Sequence, residues 1–105
     1  MPALVVYVTT SSRDEALSIG RAVVGERLAA CANVVGEIRS IFWWQGQLNE
    51  DGEALLILKT SHARVADLIE RVRALHSYTT PCITAWPITA GNRDYLAWID
   101  AETAG

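Results

Sequence analysis

Lysine is almost missing from this 105-residue chain: Lys59 stands alone, and nine Lys and Arg face twelve Asp and Glu for a net charge of −3. Nucleic-acid binders need clustered Lys and Arg to release phosphate counterions, so no nucleic-acid partner is expected. Long apolar runs are also missing. None approaches the roughly 18 residues that cross a bilayer, and the run Ala3–Val8 has no basic flank of a signal peptide, so a cytoplasmic location without a membrane span is expected. Only two cysteines occur, Cys31 and Cys82, far apart and outside any C-x-x-C spacing. They read as two buried free thiols. Glycine-rich phosphate or dinucleotide loops are absent, as are Ser/His/Asp or Cys/His orders and paired carboxylates beside a nucleophile. Such a chain is expected to be no enzyme and to use no organic cofactor.

What is present is the composition of one folded domain over residues 1–105, half apolar and one-fifth charged, without repeats or linkers. Leu4–Thr10 is β-branched and aromatic and reads as a strand. Ser12 and Glu15 form a capping box, Glu15 reaching back to the Ser12 N–H. The helix they start is predicted to run to Ala29–Ala30, with Leu17, Gly20, Val24, Arg27 and Leu28 recurring along one face and Ala16 and Val23 beside them. A long strand follows from Ala32 to Gln47, with Gly36 as a bulge. Without a register shift, Ile38, Ser40, Phe42 and Trp44 line one face, and Val35, Glu37, Arg39, Ile41 and Trp43 the other. Leu48–Gly52, with its Asp-Gly pair, reads as the hairpin turn, and Glu53–Thr60 as the returning strand. Ser61 is predicted to cap a helix carrying Val65, Leu68, Ile69, Val72 and Leu75. A strand from Cys82 to Ile88 and an amphipathic stretch with Tyr95, Leu96 and Trp98, capped by Asp94, complete the chain.

The order β-α-β-β-α-β is the α+β, ferredoxin-like pattern: a four-stranded antiparallel sheet with two helices on one face, here with a long β-hairpin and a short C-terminal helix. Consecutive aromatics Phe42-Trp43-Trp44 point to both faces of the hairpin, and Ala54, Leu55, Ile41 and Trp43 suggest a second buried surface. A subunit interface is the expected cover, with an exposed aromatic on the hairpin as the alternative.

Five segments in order, ERLAACAN (Glu26–Asn33), SIFWWQG (Ser40–Gly46), EALLILKT (Glu53–Thr60), HSYTTP (His76–Pro81) and Pro87-Ile88 with GNRDYLAW (Gly91–Trp98), resemble the CutA family of divalent-cation tolerance proteins. The resemblance covers Leu4 to Ile99. It implies a homotrimer with a ferredoxin-like fold similar to the PII signalling proteins, its hairpins embracing neighbouring subunits. It also implies a response to metal ions, with copper or another divalent metal bound. The alternative is a PII-like scaffold that binds a small molecule or partner protein at inter-subunit clefts. Copper ligands attributed to some bacterial members fall at Thr9, Leu75 and His76, of which only His76 is a ligand type. Ser77 replaces the usual proline, and Cys82 stands where an acidic residue is common.

The metal candidates are therefore His76 and Cys82. Two readings of His76 stay open, a cap at a helix C-terminus or a ligand. His62 reads as exposed and without a role. Arg27, Trp43, Glu53, Lys59 and Tyr78 recur in the family motifs and are the candidates for an inter-subunit cleft; interfacial ion pairs among Arg27, Glu53 and Lys59 are the other reading.

Overall fold

Seven elements follow one another in the computed structural model, which describes residues 1–105: β1 (Leu4–Thr10), α1 (Arg13–Gly25), β2 (Cys31–Trp44), β3 (Gln47–Thr60), α2 (Val65–Leu75), β4 (Ile83–Pro87) and α3 (Arg93–Thr103). The strands pair antiparallel throughout, in the order β2-β3-β1-β4, which is the ferredoxin-like sheet that the element order implies. Alternation decides the core. Val6, Val8, Ala54, Leu56 and Leu58 point to one face, where Ala16, Ile19 and Val23 of α1 and Leu68 and Val72 of α2 bury them. Ala54 thus belongs to the helix-covered core and to no second interface.

α1 starts where expected: the Ser12 Oγ accepts from the Glu15 N–H at 3.1 Å. The return arm lands one residue earlier, because the Glu15 Oε1 accepts from the backbone N–H and hydroxyl of Ser11, each at 2.9 Å. The helix stops at Gly25, short of Ala29–Ala30. Leu28 N–H donates to Val23 O and Arg27 N–H to Val24 O, each at 3.0 Å, the paired bonds of a Schellman stop. Arg27 takes the left-handed position that glycine usually fills, at φ 61°. The apolar pattern continues past Gly25 because this reversal returns Leu28 and Ala29 to the core. The buried stripe of α1 is Ala16, Ile19, Gly20 and Val23. Gly20 allows close packing on the sheet: a Cβ there would lie 3.1 Å from Ala32 Cβ and 3.3 Å from Leu56 Cδ1.

The hairpin turn is Gln45-Gly46, not Leu48–Gly52. Both residues have positive φ, 51° and 77°, as a two-residue type I′ turn requires. Asp51 and Gly52 are strand residues opposite Ser40 and Arg39. The register slips between Val35 and Ile38, the bulge expected at Gly36. It places Val35 on the same face as Ile38, Phe42 and Trp44, opposite Glu53 and Leu55, and leaves Ile41 and Trp43 on the other. With fourteen residues in each strand, the hairpin runs beyond the helices, and the molecule measures 44 × 25 × 22 Å.

Ser61 does not cap α2. It is buried, and its carbonyl accepts from the Arg64 N–H at 3.1 Å, closing a turn before the helix. α3 is capped by Asn92, whose side chain accepts from the Asp94 N–H at 2.9 Å; Asp94 sits inside the first turn. This helix meets the face left open by α1 and α2 only at the end remote from the hairpin turn, where Tyr95 approaches Cys31 and Lys59. No helix is long and apolar enough to cross a membrane.

Candidate functional site

β1 ends and α2 ends at the same corner, and the loop after α2 is tied there by four hydrogen bonds. His76 is the C-terminal cap residue of α2 and only 9% exposed. Its Nδ1 accepts from the Tyr78 N–H at 3.1 Å, so the ring proton sits on Nε2, which donates to Thr9 O at 2.8 Å. Glu15 Oε2 accepts from the Ser77 N–H at 2.9 Å. Burial would raise the Glu15 carboxyl, but hydrogen bonds from Ser11 and Ser77 outweigh it and hold its pKa below the ordinary value. The fourth bond runs from the Tyr78 hydroxyl to Glu53 Oε2 at 2.8 Å. Burial and this carboxylate push the Tyr78 phenol far above its ordinary pKa of 10.0, so it stays a donor.

Between this loop and the hairpin lies a groove of about 670 Å³. Tyr7 and Thr9 of β1 contribute its inner wall. Ser40, Phe42, Trp43, Trp44, Asp51 and Glu53 come from the hairpin, and Ser77, Tyr78, Thr79, Thr80 and Cys82 from the loop. The wall is therefore aromatic and acidic, with no Lys, Arg or His among its residues.

Of the proposed cleft set, Trp43, Glu53 and Tyr78 meet in this groove, while Arg27 and Lys59 do not. Arg27 pairs with Glu102 at 2.9 Å beside a separate hollow of about 290 Å³. Lys59 donates to Asn33 Oδ1 at 3.1 Å and lies 6.0 Å from the Tyr95 ring centroid. Within one chain Arg27, Glu53 and Lys59 do not pair with one another, because Lys59 sits at the α3 end of the open face and Glu53 near the bulge. Neither thiol is buried: Cys82 is exposed on the groove, and Cys31 is half-buried, 3.5 Å from the Tyr95 hydroxyl. That contact, with burial, pushes Tyr95 up to about 12. His62 is exposed, as read.

These residues do not fit a metal site centred on His76. A neutral imidazole has one lone pair for a metal, and here the Tyr78 N–H occupies it. Thr9 and Leu75 bring no strong donor, His76 does not line the groove that Cys82 lines, and no three His, Cys, Asp or Glu side chains converge anywhere. Phe42 and Trp44, placed on one face by the sequence, and Asp51, assigned to the turn, all fall outside the proposed cleft set, yet all three line the groove. Reading Gln45-Gly46 as the turn would have added Asp51, since it sets Ser40 opposite Asp51 and Ile38 opposite Glu53, on the face that carries Phe42 and Trp44.

Residues 4–102 match the family model of the CutA1 divalent ion tolerance protein. The divalent-cation tolerance protein CutA of Thermus thermophilus is 50% identical over 99 residues, 94% of this chain and 96% of that one. Protein CutA 1, chloroplastic, of Oryza sativa is 40% identical over 103 residues, 98% of this chain but 58% of the longer rice protein. A solved structure described as the periplasmic divalent cation tolerance protein CutA of Archaeoglobus fulgidus superposes with a TM-score of 0.92 at 40% identity, covering 96% of this chain and 98% of that one.

Proposed function

This chain belongs to the CutA1 divalent ion tolerance family, and from that premise we propose that it serves divalent-cation tolerance as a homotrimeric binding protein and not as an enzyme. The observation that carries the assembly is the uncovered apolar surface. Ile41 (68% exposed), Trp43 (72%) and Leu48 (62%) stand out on the hairpin, and Trp86 and Trp98 lie exposed elsewhere. A monomer rarely leaves so many large apolar side chains to water. β2 adds a fourteen-residue edge strand whose free backbone groups invite pairing with a second copy, and a closed ring satisfies every such edge. Three copies is the number that the family resemblance implies.

Copper or another divalent ion is the cation class of this reading. His76 being committed, the donors one chain offers along the groove are Cys82, Asp51 and Glu53. Tight copper or zinc sites take three or four well-placed donors, so an ion held here draws its remaining ligands from a neighbouring subunit. Metal affinity then depends on assembly. Calorimetric titration of Cu(II) and Zn(II) into the wild-type protein is expected to give saturable binding, lost when Ile41→Glu and Trp43→Glu charge the hairpin. Binding that survives disassembly would place the ion within one chain and contradict the shared site.

A further inference from the structure

We propose that the groove beside Tyr78 binds an organic ammonium ion, its charge held by Asp51 and Glu53 and its alkyl groups by the aromatic rings around them. The inference rests on the groove being the ligand site and adds a second class of ligand to it. Charge complementarity carries it first. Asp51 has no ion pair, and Glu53 receives only the Tyr78 hydroxyl, a neutral donor, leaving its other oxygen free. The nearby hairpin cation, Arg39, lies on the opposite face and is spent on Glu50 at 3.0 Å. Two carboxylates with no counter-cation from their own chain in a concave site repel anionic ligands and attract cations.

The chemistry of the walls selects among cations. A divalent metal needs several oxygen, nitrogen or sulfur donors converging on one point, and here it depends on ligands from a neighbouring subunit, since one chain does not supply three. An ammonium with alkyl substituents needs a diffuse negative surface instead, and the groove is lined by four aromatic rings suited to supply one, Tyr7, Phe42, Trp44 and Tyr78. The size agrees: about 670 Å³ lies within the range of small-molecule sites. The Tyr78–Glu53 bond and the tilted stack of His76 on Tyr78, with centroids 4.7 Å apart, hold one ring and one carboxylate in place before any ligand arrives.

The test is calorimetric titration of the wild-type protein with choline and, in parallel, with 3,3-dimethylbutan-1-ol, its neutral isostere. Choline is expected to bind saturably and at least about tenfold tighter than the isostere, as charge and cation–π attraction together require. Asp51→Asn with Glu53→Gln should remove that preference, and Phe42→Leu should weaken choline while sparing the alcohol. Equal affinity for the two probes, no saturable choline binding, or full binding in the double variant overturns the inference. A separate Zn(II) titration keeps the two readings apart. Zinc binding without choline binding defeats this inference alone, and choline binding without zinc binding supports it and defeats the metal reading.

Discussion

His76 shows how a residue can be found in the sequence while its role stays open between a helix cap and a ligand. Its place after α2 and before Tyr78 follows from the sequence, but the state of its ring is set by Thr9 O and Tyr78 N–H, and Thr9 lies far off in the chain. Spacing cannot report a tautomer fixed by a distant carbonyl. His76→Ala is expected to lower stability by about 1–3 kcal/mol, because it orphans hydrogen-bond partners in a half-buried corner, and to leave copper affinity unchanged. Urea unfolding with copper calorimetry checks both; a lost copper site at undiminished stability would reverse the assignment. Tyr78 gives a prediction in pH. Its folded pKa lies above 10.0, so the stability it contributes is fully present below pH 10 and is lost as pH rises beyond that. Denaturation midpoints measured from pH 9 upward should fall more steeply for the wild type than for Tyr78→Phe. Matching slopes would mean that the Glu53 contact is not made in solution.

At the scale of elements, the sequence is most legible where one residue type decides geometry and least where two candidates compete. Gly36 marked the bulge, and Ser12 the start of α1. The hairpin turn was missed because Asp51-Gly52 is the stronger dipeptide signal, whereas Gln45-Gly46 holds the two positive φ values. The strands decide the contest. Pairing through Trp43↔Leu48 and Ile41↔Glu50 lets β2 and β3 keep their full length, which a turn at residue 51 would cut short. Gln45→Asn, which tolerates a left-handed backbone better, should raise stability by a few tenths of a kcal/mol, and Gly46→Ala should lower it by about 1 kcal/mol. Thermal melts of the two variants measure this; a harmless Gly46→Ala would argue against the type I′ turn. The end of α1 was overrun for a related reason. Apolar periodicity persists through Leu28 and Ala29 although Arg27 has already reversed the chain, and an arginine in the position of glycine gives no warning.

For the whole molecule, two layers of secondary structure leave one sheet face and a projecting hairpin to be explained. The aromatic run Phe42-Trp43-Trp44 divides between them. Phe42 and Trp44 share the open face with Glu53 and wall the groove, while Trp43 borders it from a strand position that alternates to the other side and remains 72% exposed. That division is why the sequence could announce a partner but not outline the groove, which depends on the register beyond the bulge. Both the metal reading and the coverage of the hairpin rest on assembly. The most direct test is the molar mass of the wild-type protein at micromolar concentration by size-exclusion chromatography with light scattering. The account predicts a single species of about three times the 11.5 kDa chain mass. A monodisperse monomer would contradict it, leaving the hairpin's apolar side chains without a cover and the shared metal site without its second subunit.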